Sequence, residues 1–105
     1  SLFGIIYNMI SIDEIRRRLF PIFRLYQVRD AVLFGSYANG TASEKSDIDL
    51  YVDSNLHGLR FVGLMESIRN ALGNKDVDLT DKSHVDPSSE VAKEIAKTGV
   101  KIYEG

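Results

Sequence analysis

The stretch LFGSYANGTASEKSDIDLYVD, residues 33–53, starts as an apolar strand and ends in a segment where acids alternate with apolar residues. Every second residue from Ile48 is apolar, which predicts a strand over 47–53 with one buried face. Asp47 and Asp49 then share the opposite face. Aspartate is disfavoured in strands, so either these acids are simply solvated or they serve a function.

A later segment repeats this alternation. Asp76-Val77-Asp78-Leu79-Thr80 reads as another strand, and if it neighbours the first, Asp78 joins Asp47 and Asp49 on one face. Like charges this close are costly unless a cation offsets them. Three carboxylates suit one or two Mg²⁺ ions, which prefer oxygen ligands. Asp76 has the same parity and is the alternative third ligand; we prefer Asp78 because it lies deeper in the strand.

A Gly-Ser turn follows the first apolar strand. Gly35 allows the backbone to approach a ligand closely, and Ser36 begins a predicted short helical turn. Backbone N–H groups at a helix start, with a hydroxyl beside them, form a seat for phosphate. A metal-binding acid set and a phosphate seat together indicate a metal-bridged triphosphate.

The remaining pattern predicts alternating helices and strands in the order α-β-β-α-β-α with a final short β. We therefore expect an α+β (mixed α/β) fold, in which a small mixed sheet has helices packed on one face. Pro21 predicts a kink or a new helix within the first helical segment. The predicted elements are a helix opened by a Ser11–Glu14 capping box, a strand over 30–34, a helix over 58–72 ended by Gly73, a helix opened by 87–90 and ended by Gly99, and a strand over 100–103.

Length and composition set limits on the protein. With 105 residues, the chain is expected to form one domain, 1–105. There is no cysteine, which excludes disulfides and thiolate chemistry and fits a cytoplasmic protein. No apolar run is long enough to span a membrane. Met9 reads as a natural start, so residues 1–8 carry no weight in our interpretation and could be non-native.

The charge balance gives little sign of direct nucleic-acid binding. Thirteen basic and fifteen acidic residues leave a net charge of −2, whereas dedicated nucleic-acid binders usually show a basic excess. Arg16, Arg17 and Arg18 form a short basic run that we interpret as a solvated helix face. Contact with an acidic partner or RNA is the alternative.

Gly35-Ser36, ten residues, then Asp47-Ile48-Asp49 resembles the GS-x10-DxD signature of the DNA polymerase β-like nucleotidyltransferase superfamily. The sequence of this stretch resembles that of the minimal nucleotidyltransferases of the superfamily, the MNT-domain or MntA-like antitoxins. The likeness extends to an RPIF-like stretch at 19–23, to Val77-Asp78-Leu79 and to the ending at 99–104. It implies a polymerase β-like palm fold.

The resemblance also implies residue roles. Asp47 and Asp49 would bind catalytic Mg²⁺, two ions in all, and Asp78 would complete the metal site and help activate the acceptor hydroxyl. Gly35 and Ser36 would bind the triphosphate of the ATP substrate. An acceptor oxygen would then attack the α-phosphate in line, with pyrophosphate leaving.

One loop position departs from the family pattern. Many relatives carry GSxARG, with arginine before the second glycine, whereas this chain has Asn39. The absent cation could weaken nucleotide binding or transfer the neutralisation of phosphate to Lys45 or Arg29.

The resemblance implies a partner, because a chain this short has no added domain to bind an acceptor. That partner is a HEPN-domain toxin, and this chain would be the antitoxin of a type VII-like pair, transferring AMP to a toxin tyrosine. The alternatives are a non-catalytic module that masks its partner and, third, a small-molecule nucleotidyltransferase of the aminoglycoside type. Whether the chain forms a homo- or hetero-oligomer is left open.

Overall fold

The computed structural model describes residues 10–43 and 45–105, so residues 1–8 lie outside the described part of the chain. The order of elements agrees with the sequence prediction and adds a 3₁₀ turn. The helices are α1 (Ile12–Leu25), α2 (Ser36–Asn39), α3 (Leu59–Ala71) and α4 (Glu90–Thr98), with the 3₁₀ turn at Lys82–His84; the strands are β1 (Asp30–Phe34), β2 (Ile48–Asp53), β3 (Val77–Asp81) and β4 (Val100–Glu104).

The four strands form one mixed sheet in the order β3-β2-β1-β4. β1 runs antiparallel to both β2 and β4, and β2 runs parallel to β3. The predicted terminal strand therefore exists and pairs with β1. The phosphate-turn end of the sheet thus holds the end of β1 and the starts of β2 and β3.

Local side-chain contacts stabilise the start of helix α1. The Ser11 hydroxyl accepts a hydrogen bond from the Glu14 backbone N–H, which caps the helix as predicted. The Glu14 carboxylate binds Arg17 and Arg18. α1 continues through Pro21, so the predicted option of a new helix there is wrong. Pro21 is exposed and leaves the buried face of α1 unaffected.

The core lies between the sheet and the two long helices. The predicted apolar residues of β2 are fully buried, and α1 and α3 cover them from one side. None of the helices in the described part of the chain is long and apolar enough to cross a membrane. The largest fully buried side chains are Phe23, Ile15, Leu19, Leu33, Ile48, Leu50, Leu64, Ile68 and Val52.

The last helix departs from the predicted single-sided packing. A Cβ placed on Gly99, just after α4, would lie 2.6 Å from Cγ1 of Val32. Val32 pairs with Tyr51 across the antiparallel ladder, so it belongs to the face that carries Asp49. α4 therefore lies on the acidic side of the sheet. It has no buried residue, whereas α1 and α3 contribute to the core.

One buried acid at the far end of the sheet holds two strands together. Asp81 is 3% exposed and accepts hydrogen bonds from the backbone N–H and hydroxyl of both Ser54 and Ser83, at 2.6–3.0 Å. Burial alone would raise the pKa of Asp81, but these four bonds outweigh it and lower the pKa. The sequence pattern did not identify this residue.

Replacing Asp81 by alanine should destabilise the fold by about 3 kcal/mol, because four donors lose a charged acceptor in a buried setting. Asp86→Ala is the matched control, since Asp86 accepts the same pair of bonds from Ser88 on an exposed surface. Urea unfolding measures both variants. A lowered folded-state pKa means that the contribution of Asp81 is present above its unfolded pKa and lost as pH falls through the folded value. Equal losses in the two variants would contradict this role.

Candidate functional site

The predicted acids lie at the same end of the sheet, where β2 and β3 start. In the parallel ladder, Asp49 is the register partner of Asp78, so the two side chains lie on the same face of adjacent strands. Asp47 comes directly before β2 and is exposed, as is Asp78. The neighbouring strands that the sequence argument required are therefore present.

Burial and neighbouring negative charges raise the pKa of Asp49. Its pKa is raised first by burial and then by the negative charges of Asp78, Asp47 and Glu94. Asp76 is not among these charges. Glu94 was not predicted, because only the packing of α4 across the acidic face brings it near Asp49.

Gly35 lies directly beneath Asp49. A Cβ placed on Gly35 would be 2.3 Å from Oδ2 of Asp49, so no side chain fits without displacing that carboxylate. Gly35 also has φ 72° and ψ −147°, a conformation that L side chains rarely adopt. Both the close approach and the backbone conformation therefore require glycine here.

The Gly-Ser turn opens a short helical turn, as predicted. The Gly35 carbonyl accepts hydrogen bonds from the N–H groups of Ala38 and Asn39, both at 3.1 Å. Ser36 is the first residue of α2 and is partly exposed. Tyr37 faces the core and is 6% exposed. The turn is therefore anchored in the core by Tyr37, while Ser36 before it remains partly exposed at the site.

Asn39 has a local structural role. Its side-chain oxygen accepts hydrogen bonds from the Thr41 backbone N–H at 3.1 Å and from the Thr41 hydroxyl at 2.6 Å. This is a common way for asparagine to stabilise a turn. The side chain thus fastens the loop, and it supplies no positive charge.

Of the two proposed substitute cations, Arg29 is at the wrong end of the sheet. It precedes β1, whereas Gly35 follows it, and six residues of extended chain separate them by about 20 Å. The expectation that Arg29 neutralises phosphate is therefore wrong. Lys45 lies in the loop before β2 and is exposed.

The carboxylates suit a hard cation chemically, although the three side chains do not surround a single position. Within residues 10–43 and 45–105, no group of three His, Cys, Asp or Glu side chains is close enough to enclose an ion. The carboxylates of Asp49 and Asp78 are nevertheless adjacent and mutually repulsive, and oxygen donors of this kind are what Mg²⁺ prefers. The residues present therefore fit such an ion in their chemistry.

Comparisons with known proteins identify relatives of this chain. The family model described as polymerase beta, nucleotidyltransferase matches residues 18–105. Two Methanocaldococcus jannaschii proteins that carry the provisional name protein adenylyltransferase are similar. One is 35% identical over 79 residues, which cover 73% of this chain and 84% of the relative; the other is 37% identical over 80 residues, covering 71% and 79%.

Solved structures share the fold. A chain from a crystal structure of a toxin–antitoxin with AMP-PNP aligns with a TM-score of 0.71 at 24% identity, covering 86% of this chain and 73% of that one. A chain from a structure of the tri-AMPylated Shewanella oneidensis HEPN toxin in complex with MNT antitoxin gives 0.67 at 20%, covering 90% and 74%. At these identities the likeness establishes the mixed α+β architecture.

Gly35→Ala should displace the Asp49 carboxylate as well as strain the backbone. Gly73→Ala is the matched control, because Gly73 has the same φ of 72° but nothing within 4 Å of an added Cβ. Both variants should lose about 1 kcal/mol or more from the positive φ, and Gly35→Ala should lose more. Denaturant unfolding compares them. Equal losses would show that the contact with Asp49 is unimportant.

Asp49→Asn should raise the thermal midpoint of the protein at neutral pH without divalent cations. A raised pKa means that the folded state disfavours the charged form, so removing the charge relieves this cost. The difference should shrink as pH falls and the wild-type Asp49 becomes protonated. Asp76→Asn is the control and should leave the midpoint nearly unchanged. A lowered midpoint for Asp49→Asn would contradict the repulsion described above.

Proposed function

This chain belongs to the polymerase β nucleotidyltransferase family, and from that premise we propose that it transfers AMP from ATP to a tyrosine of a HEPN-domain toxin. In this role it is the antitoxin of a type VII-like toxin–antitoxin pair. The supporting observation is that Asp49 lies directly above Gly35 and is the register partner of Asp78, so the acids adjoin the turn that we propose binds phosphate.

The donor is proposed from the relatives. Similar proteins carry the provisional name protein adenylyltransferase, and a structurally similar chain comes from a complex with the ATP analogue AMP-PNP. The acceptor is proposed from the structure that contains a tri-AMPylated HEPN toxin. We propose a cytoplasmic location because ATP is the donor.

The proposed roles follow from where the side chains lie. Asp47, Asp49 and Asp78 would hold Mg²⁺, which, when bound, stabilises charge on the entering and leaving oxygens. Gly35 leaves room for the Asp49 carboxylate, so a triphosphate at the start of α2 would lie beside that acid. The Ser36 hydroxyl and the neighbouring backbone N–H groups would donate hydrogen bonds to phosphate oxygens.

Asp78 would also receive the acceptor proton. It is exposed, so an approaching hydroxyl can reach it without rearrangement of the sheet. The hydroxyl oxygen forms a bond to the α-phosphorus while the bond to the pyrophosphate oxygen breaks, and the proton leaves with the acid. The products are an AMP ester of the acceptor and pyrophosphate.

A second candidate function is a module that masks its partner without catalysis. Asn39 favours it, because the residue at this position fastens the turn and leaves phosphate charge to other groups. An aminoglycoside-type small-molecule transferase ranks third, since it needs an acceptor pocket that a second subunit would have to form.

The decisive experiment measures transfer of label from α-³²P-ATP to the partner encoded beside this chain. Asp78→Asn should reduce the rate by two orders of magnitude or more, about 3 kcal/mol of transition-state stabilisation, and Asp47→Ala/Asp49→Ala should abolish transfer. Asp76→Asn is the matched control, since Asp76 directly precedes β3 and is also exposed, and this variant should retain activity. A chelator should stop the wild-type reaction, and added Mg²⁺ should restore it.

The same proteins distinguish the masking function. If the partner is inhibited equally by wild type and by Asp47→Ala/Asp49→Ala, and calorimetry detects no Mg²⁺-dependent ATP binding, the masking module is correct. If Asp76→Asn is inactive and Asp78→Asn is active, the third acid has been misassigned although the transfer function stands.

A further inference from the structure

Two of the seven arginines differ from the rest. Among the described residues, Arg29 and Arg60 have neither an ion pair nor a contact with an aromatic ring. Arginine usually finds a carboxylate or an aromatic face when its environment offers one. The partners of the others are Asp13 for Arg16, Glu14 for Arg17 and Arg18, Glu66 for Arg69, and the Phe20 ring for Arg24.

These two arginines line the same cleft. It has a volume of about 620 Å³ and lies at the end of the sheet opposite the acids, with His57 beside Arg29 and Arg60. No carboxylate belongs to the described residues that line it. The cleft is therefore positive although the chain as a whole carries a net charge of −2.

The acids that line neighbouring clefts with Arg29 have partners of their own, and none of these acids forms an ion pair with Arg29. Asp30 lies 3.5 Å from the Lys101 amine, and Asp53 lies 4.0 Å from the Lys82 amine. Asp81, farther along the same edge, is saturated by hydrogen bonds from serines. Arg29 is thus left available for an external anion.

The start of α3 adds to the positive potential. Helix α3 begins after Gly58, which offers no side chain to cap its first N–H groups. The partial positive charge of a thirteen-residue helix is thus directed toward the loop that carries His57.

Two exposed leucines directly precede lining residues of the cleft in the chain. Leu25 is 75% exposed and directly precedes Tyr26, which lines the cleft; Leu59 is 88% exposed and directly precedes Arg60. No other large apolar side chain in the described part of the chain is as exposed as these two. A free phosphate would gain nothing from these leucines, whereas a protein segment would bury them.

We propose that the cleft and its two leucines, together called the Arg29–Arg60 surface, dock a protein segment in which a carboxylate is flanked by apolar side chains. The carboxylate binds Arg29 and Arg60, whose planar donors suit it, and the apolar neighbours cover Leu25 and Leu59. Because the surface is about 20 Å along the sheet from Gly35, its occupant leaves the acids free. The inference does not depend on AMP transfer.

The test uses a short amphipathic helical peptide with glutamates beside a leucine stripe. Titrated into ¹⁵N-labelled protein, it should shift amide signals at 24–29 and 55–62 and leave those of the acid site unchanged. Arg29→Ala/Arg60→Ala and Leu25→Ser/Leu59→Ser should each weaken binding about tenfold or more. Raised salt should weaken binding to wild type and have less effect on the arginine variant.

Matched controls are available in the chain. Arg69→Ala removes an arginine of the same helix that is already paired with Glu66, and Val91→Ser removes an exposed apolar residue on another face. Neither should change the affinity. All substituted residues are exposed, so thermal unfolding should show that each variant remains folded.

Other occupants give other results. Stronger shifts with pyrophosphate or with a single-stranded RNA oligonucleotide would replace the proposal with a phosphate site. A concentration-dependent mass that Arg29→Ala/Arg60→Ala abolishes would assign the surface to a second copy of this chain. No shifts with the acidic peptide at about 1 mM, or equal binding of its lysine counterpart, would overturn the proposal.

Discussion

The parallel pairing of β2 with β3 is the constraint on which the site depends. Its register makes Asp49 and Asp78 direct neighbours, and backbone hydrogen bonds along both strands maintain that proximity against the repulsion of the two charges. Gly35 completes the arrangement, because only a residue without a Cβ leaves room for the Asp49 carboxylate. Asp81 fastens the other end of the same strand pair. A defect in this pairing would affect both the acids and the turn beneath them.

Local patterns in the sequence predicted most of the elements, whereas tertiary placement was less accessible. Alternation around Ile48 identified β2 and its buried face because a strand repeats every two residues. No local pattern could show that Glu94 approaches Asp49, since the two residues meet only through packing of α4 on the sheet. Arg29 was one of two alternatives for neutralising phosphate, beside Lys45, but β1 separates it from Gly35. Asp81 was overlooked because one of its donors, Ser54, lies 27 residues away in the chain, although the other, Ser83, is in the 3₁₀ turn that follows β3.

The candidate acid set and the two arginines without an ion pair among the described residues lie at opposite ends of the sheet. Asp47, Asp49 and Asp78 gather where β2 and β3 begin, and the Arg29–Arg60 surface lies where β1 begins and β2 ends. Because β1 is antiparallel to β2, the start of β1 lies beside the end of β2, and the length of one short strand separates this region from the acids. This separation is not visible in the net charge of −2, which describes only the sum.

Asn39 stabilises the turn after Gly35 but gives it no positive charge, which bears on whether the chain needs a partner. Its side chain holds Thr41 and so keeps the turn after Gly35 in shape, which is a gain in order without any gain in positive charge. A triphosphate at this turn would meet three aspartates and Glu94 across the sheet, and Arg29 is too distant to assist. Neutralisation must then come from bound cations, from Lys45 or from outside the chain. A catalytic module with this loop therefore gains more from a cation-bearing partner than one whose loop carries its own arginine.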